Sequence, residues 1–251
     1  MSDGLERNAV IVALVFCRIG GCMLLLPGFS GPRVPMQLRL FIAIAVSLSV
    51  APLVAPSVKL RVPDFSPVGL LDTMFLETAI GVAFGLMIRL FLLALQFSST
   101  MISSLMGFAT PPQPSVHDDE LSTPFADFIL LATITLMFSL GLHLSLFEAL
   151  IDTYIALPVG GGMEPGEALR QILRATSAAF ALTIRLSAPF IVYSLLVNAL
   201  LAVANRWVPQ IPIQLISAPA VLAGGLLVAY FTIPFLVDSF LDAFSAWLKT
   251  L

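Results

Sequence analysis

Charge is the scarcest ingredient of this chain: 12 Lys and Arg and 15 Asp and Glu in 251 residues, 11% of the sequence against 59% hydrophobic residues. A soluble domain of this length needs far more polar surface, because a folded body still exposes much of its area. A mean hydropathy of +1.02 excludes an ordinary water-soluble globule. The fold class is all-α: a polytopic, membrane-associated set of helical hairpins whose surplus apolar surface is covered by lipid or by a larger assembly. Histidine and cysteine are equally sparse, at two each. No His/Cys/carboxylate grouping has metal-ligand spacing, and there is neither a Walker loop nor a G-x-S-x-G elbow. "GGG" at 160–162 follows Leu-Pro and reads as a flexible turn rather than a phosphate cradle. These absences predict a protein that is not an enzyme and holds no metal or cofactor. A net charge of −3 without a basic cluster likewise predicts no nucleic-acid partner. Cys17 and Cys22 lie on different faces of any helix that carries both, which reads as two small buried thiols rather than a disulfide.

What is present is apolar length. Six segments stand out, roughly Ala9–Leu26, Leu38–Val54, Val68–Phe97, Phe125–Leu150, Ala175–Val208 and Ile213–Phe240. Each suffices for the helix of about 20 residues that crosses a bilayer core. The first run has no small-residue cleavage site behind it, only "LLLPGFSGPRVP", and is read as retained. Pro- and Gly-rich stretches punctuate the gaps. "EPGEALRQILRA" reads as a helix start, with Pro165 in the first turn and Glu164 and Glu167 at the positive dipole end. Arg170 and Arg174, one turn apart, make that entry amphipathic. With the N-terminus inside, Arg7, Lys59, Arg61, Arg170, Arg174 and Lys249 lie on the inner side, and Arg33, Arg39 and Arg206 on the outer. That asymmetry favours an inside N-terminus.

Several segments carry groups that lipid does not tolerate. Arg18 lies in the first, Glu77 and Arg89 in the third, and Asp127, His143 and Glu148 in the fourth. Arg185 and Asn198 lie in the fifth, while Pro219 and Pro234 interrupt the sixth. A charge at bilayer depth costs several kcal/mol unless it faces protein or water. Glu77 and Arg89 are about 18 Å apart on a straight helix and cannot pair with each other. Each requires a partner from another helix or another subunit. For Arg18 the preferred reading is an inter-subunit ion pair, since its mid-segment depth makes snorkelling hard. His143, with Glu148 and Asp152, has the makings of a proton relay, but a histidine hydrogen-bonded at a helix contact is the plainer reading. Gly81 and Gly85 form G-x-x-x-G, which allows two helix backbones to approach closely.

One stretch is different. "MGFATPPQPSVHDDELSTPFADF", residues 106–128, has four prolines, three consecutive acids and no Lys or Arg between two long apolar runs. As an ordinary external loop it needs no special explanation. As a metal site its "HDDE" supplies ligands without fixed geometry. As a gate, its apolar root "MGFA" is able to occlude a pore.

Three stretches together carry a resemblance. "FCRIGGCMLLLPGFSGPRVPMQLRLFIAIAVSLSVAP", "GLHLSLFEALIDTYIALPVG" and "LLVNALLAVANRWVPQIPIQ" occur in the order and at the separations seen in the FliR family of type III export-gate subunits. The resemblance implies a fusion of two smaller gate subunits: a FliP-like part over 1–155, with a pore loop at 106–124, and a FliQ-like helical hairpin over 156–251. It implies FliP-like and FliQ-like partners, an FlhB-like switch protein, surrounding membrane lipid, and unfolded flagellar subunits in transit. It implies a place in the bacterial inner membrane, within the flagellar basal body and protruding toward the periplasmic side. By the same resemblance, Met106, Gly107, Phe108, Ala109, Thr110, Pro111, Pro112, Gln113, Pro114, Ser115, Val116, His117, Asp118, Asp119 and Glu120 form the plug that helps close the pore. "PPQP" stands where the family often has Asp-Pro, and Leu142 where it often has Asn. A homologous subunit of a virulence injectisome shares the same pattern. A rival of another class is a small secondary transporter using Arg18, Glu77, Arg89, His143 and Arg185 as a polar pathway.

Overall fold

Where no water can satisfy backbone N–H and C=O groups, an apolar segment must bond them internally, and the helix is the form that does so within one segment. The computed structural model describes residues 2–26, 35–61, 67–108, 113–114, 121–161, 165–207, 210 and 213–249. Among these residues the helices are α1 (Ser2–Leu25), α2 (Met36–Arg61), α3 (Pro67–Leu105), α4 (Pro124–Ser139), α5 (Leu142–Ala156), α6 (Pro165–Trp207) and α7 (Ile213–Leu248). The fold is all-α. The exception is a two-residue antiparallel bridge, β1 (Gln113–Pro114) with β2 (Leu121–Ser122), pairing Gln113 with Ser122 and Pro114 with Leu121.

Among the described residues, five stretches are long and apolar enough to cross a membrane: Glu6–Leu25, Met36–Pro56, Pro67–Leu105, Gly166–Trp207 and Ile216–Leu248. The fourth apolar segment differs from a single helix. It is broken into α4 and α5, which meet at 72°. Gly141 sits at the break with φ 75, a left-handed conformation that a side chain disfavours. α4 starts sharply: Pro124 takes the first turn, and the Thr123 hydroxyl accepts a hydrogen bond from the Ala126 amide at 3.3 Å. The third segment runs further than its hydropathy, to Leu105, and three of its hydroxyls fold back onto their own helix. Ser98 donates to the Leu95 carbonyl, Thr100 to Gln96 and Ser104 to Thr100. α7 continues through Pro219 and Pro234 without a break. Each proline removes a single backbone donor, a loss that membrane helices absorb.

The chain divides into two compact units. One comprises Met1–Leu92, Gly141–Ser177 and Leu248–Leu251, and the other Leu93–Leu140 and Ala178–Trp247. In the first, α1 packs against α2 and buries Ile11, Leu14, Val15, Arg18, Ile19 and Cys22, a stripe recurring every three to four residues. The two thiols Cys17 and Cys22 are free. α1 also crosses the first half of α3 at very close range. A Cβ on Gly21 would lie 2.7 Å from the Thr78 carbonyl oxygen, one on Gly85 2.7 Å from that of Cys22, and one on Gly81 would overlap the Arg18 carbonyl. Small residues on both helices thus bring the backbones together. In the second unit Phe190, Phe240 and Phe244 are fully buried, and the rings of the last two stack at 6.0 Å.

Candidate functional site

The tight α1–α3 crossing decides where Arg18 points. Its side chain is fully buried, and its Nε donates to Glu77 Oε2 at 2.6 Å, with Glu77 1% exposed. Nη1 donates to the Thr153 hydroxyl at 3.2 Å and Nη2 to the Leu157 carbonyl at 2.9 Å. The guanidinium carbon lies 4.1 Å from the centroid of the Tyr154 ring, a cation–π contact. Tyr154 in turn donates its hydroxyl to the Val15 carbonyl at 3.3 Å.

Each partner has a local reason to be there. Leu157 caps α5, so its carbonyl belongs to the set that no helical amide satisfies, at the negative end of the helix dipole. Thr153 donates to Leu150 O at 2.6 Å and is left free to accept from Arg18. One arginine therefore joins α1, α3 and the C-terminal end of α5, and the pairing lies within this chain. Beyond it, Val159 is buried and Gly160, at φ 74, turns the chain toward α6. A recess of about 200 Å³ opens beside the cluster, with Thr153 and Gln171 as its polar lining residues among apolar ones. It contains no titratable side chain.

A second constellation lies at the C-terminal end of α3. Gly107, at φ 84, ends the helix: its amide donates to the Ser104 carbonyl at 3.2 Å, and the Phe108 amide to Ser103 at 3.1 Å. This is the paired bonding of a Schellman cap. The Phe108 ring stacks on Phe125 at 6.0 Å and 22°, so the residue that leaves α3 rests on the first turn of α4. Met106 is fully buried and packs on α7 at Gly225, where an added Cβ would lie 2.8 Å from the Met106 Cβ. Of the plug residues read from the sequence, Met106, Gly107 and Phe108 form this root, and Gln113 and Pro114 belong to β1. Ala109, Thr110, Pro111 and Pro112 lie outside the described residues, as do Ser115, Val116, His117, Asp118, Asp119 and Glu120.

The remaining polar candidates are scattered. Arg89, Asp127 and His143 are half-buried, and each makes at least one interaction. Arg185 and Asn198 are exposed on α6, where the Asn198 amide donates to Ser194 Oγ at 3.2 Å. Arg170 pairs with Glu167 at 3.4 Å on the exposed start of α6. Among the described residues no three of His, Cys, Asp and Glu gather as metal ligands would.

Thr153, Tyr154, Tyr193 and the Gly224–Gly225 pair escape a residue-by-residue reading. A faint signal exists for two of them. A tyrosine one helical turn before "LPVG" is oddly polar for its segment, and consecutive glycines inside an apolar helix call for a close neighbour.

The sequence as a whole has clear relatives. Residues 9–247 match the family described as Bacterial export proteins, family 1. A flagellar biosynthetic protein FliR of Caulobacter vibrioides is 29% identical over 211 residues, covering 83% of this chain and 82% of that one. The protein of the same name from Escherichia coli is 29% identical over 203 residues, covering 80% and 75%. That of Aquifex aeolicus is 24% identical over 250 residues, covering 97% and 93%. With the family pattern running from within α1 to the last turn of α7, this chain belongs to the bacterial export proteins, family 1.

Proposed function

We propose that this protein is a non-catalytic subunit of the flagellar protein export gate, helping to form and plug the conduit through which unfolded flagellar subunits leave the cell. The family match over residues 9–247 carries that reading, and the relatives named flagellar biosynthetic protein FliR give it its flagellar sense. In this reading residues 1–155 are the FliP-like part and 156–251 the FliQ-like hairpin. One copy joins FliP-like and FliQ-like subunits, with an FlhB-like protein beside them, in the inner membrane. The loop of residues 106–120 is the plug. Its support is the root: a fully buried Met106 and a stacked Phe108 give the segment an anchored apolar base from which to obstruct a narrow passage.

The transporter reading loses its basis. It needs Arg18 and Glu77 to line a wet path, whereas both are dry and bonded to each other.

The test is a replacement of residues 109–120 by a short Gly-Ser linker, which keeps Phe108 and Phe125. The variant is expected to co-purify with its partner subunits at the parent yield, and to let small solutes leak across the membrane. Normal assembly without a leak would sink the plug.

A further inference from the structure

We infer that Gly225 of α7 is the seat that positions the root of the plug. This rests on the plug reading above and adds what holds the plug in register.

The seat is built from one turn of α7. On one side, an added Cβ at Gly225 would lie 2.8 Å from Met106 Cβ, 3.0 Å from its Cγ and 3.1 Å from its Cα. These are the stem and backbone of Met106, not a flexible tip, so α3 must shift if Gly225 acquires a side chain. One turn earlier, Val221 Cγ1 lies 3.6 Å from where a Cβ on Gly107 would stand. Apart from the Met106 contact, Tyr193 of α6 donates its hydroxyl to the Val221 carbonyl, and that hydroxyl lies 2.7 Å from a Cβ built on Gly224. Three helices therefore meet on residues 221–225.

Consecutive glycines are unfavourable in a helix interior, and they lie just beyond Pro219. Both features make this part of α7 the place where it bends most easily. Glycine at 225 removes every atom that would hold Met106 away. The backbone of α7 itself then sets where α3 ends, and hence where Phe108 and the following loop begin. The Schellman cap transmits that position with little slack, since Gly107 and Phe108 are bonded back to Ser104 and Ser103.

Four variants, each made in the full chain and produced with its partner subunits, test this. Gly225→Ala is expected to assemble at the parent yield and to raise the small-solute leak several-fold. Met106→Ala shortens the knob without touching α7, and is expected to leak as well, though less. Gly224→Ala stiffens the helix equally but meets only the far end of Tyr193, and is expected to stay tight. A role confined to helix stability or general packing would make the two glycine variants behave alike. The inference is overturned if Gly225→Ala and Met106→Ala both assemble and stay tight, if Gly224→Ala leaks as much as Gly225→Ala, or if Gly225→Ala simply fails to assemble. The Gly-Ser replacement of 109–120 is the fourth variant. If it stays tight, the plug reading itself has failed. If it leaks while Gly225→Ala and Met106→Ala do not, only the seat is lost.

Discussion

Arg18 shows how a charge is kept in the middle of an apolar helix. Its three donor groups each find an acceptor, and its flat face meets Tyr154, so little of its hydration goes unreplaced. The pair with Glu77 is not thereby a large net source of stability, because removing both ions from water costs about as much as their attraction returns. Its value is directional, and breaking one side is expensive. Arg18→Met alone leaves the Glu77 carboxylate dry and unpaired, and should destabilise by about 3–5 kcal/mol. Arg18→Met with Glu77→Met should cost much less than the sum of the single changes. Thermal unfolding of the purified complex in detergent measures all three, and strict additivity would refute the coupling. Arg18 was legible as a residue in need of a partner. Glu77 was legible too, but not that the two belong together: they are 59 positions apart and meet only because glycines bring α1 onto α3.

At the scale of the element, most helices follow from apolar length alone, and the departures have local causes. The break between α4 and α5 leaves no dip in hydropathy, since leucines flank Gly141 on both sides. It arises from one positive φ. Gly141→Ala is therefore expected to destabilise by about 1–2 kcal/mol, the penalty for a left-handed conformation with a Cβ. Gly20→Ala should be close to neutral, as its nearest neighbour outside the helix backbone is Phe16 at 3.7 Å. Melting temperatures of the two variants decide between a conformational cause and a general intolerance of alanine. The α3 extension to Leu105 has the opposite origin. Ser and Thr lower the local hydropathy without ending the helix, and the hydroxyls of Ser98, Thr100 and Ser104 each donate to a carbonyl about one turn back.

At the scale of the molecule, length and exposed surface dominate. At 1.5 Å per residue, the 39 residues of α3 and the 43 of α6 measure roughly 58 and 64 Å along their axes. A hydrocarbon core is about 30 Å thick. Helices of twice that length, apolar for most of their course, do not fit a simple perpendicular span and need protein beside them. The chain also exposes large side chains such as Phe41, Val68, Phe75, Trp207, Tyr230 and Phe231, each more than two-thirds accessible. An apolar surface of this extent requires cover. Produced alone, the chain should run in detergent as polydisperse aggregate. Produced with FliP-like and FliQ-like subunits, it should run as one large mixed complex in size-exclusion chromatography. A well-behaved monomer that ignores those subunits would contradict the gate assignment.

The amino-acid sequence by itself determined the class of this protein, the number and rough extent of its apolar segments, the misplaced charges, the unusual stretch at 106–128 and the family. All of these are local or additive quantities: hydropathy summed over a window, a helix start set by Pro165, or motifs read in order. Only the tertiary structure decided that Arg18 belongs to Glu77 and Leu157, that the fourth segment turns by 72°, and that Met106 rests on Gly225. Those depend on which faces two helices present at their crossing. A backbone approach permitted by a missing Cβ selects the contact, and such an approach leaves almost no trace in composition or periodicity.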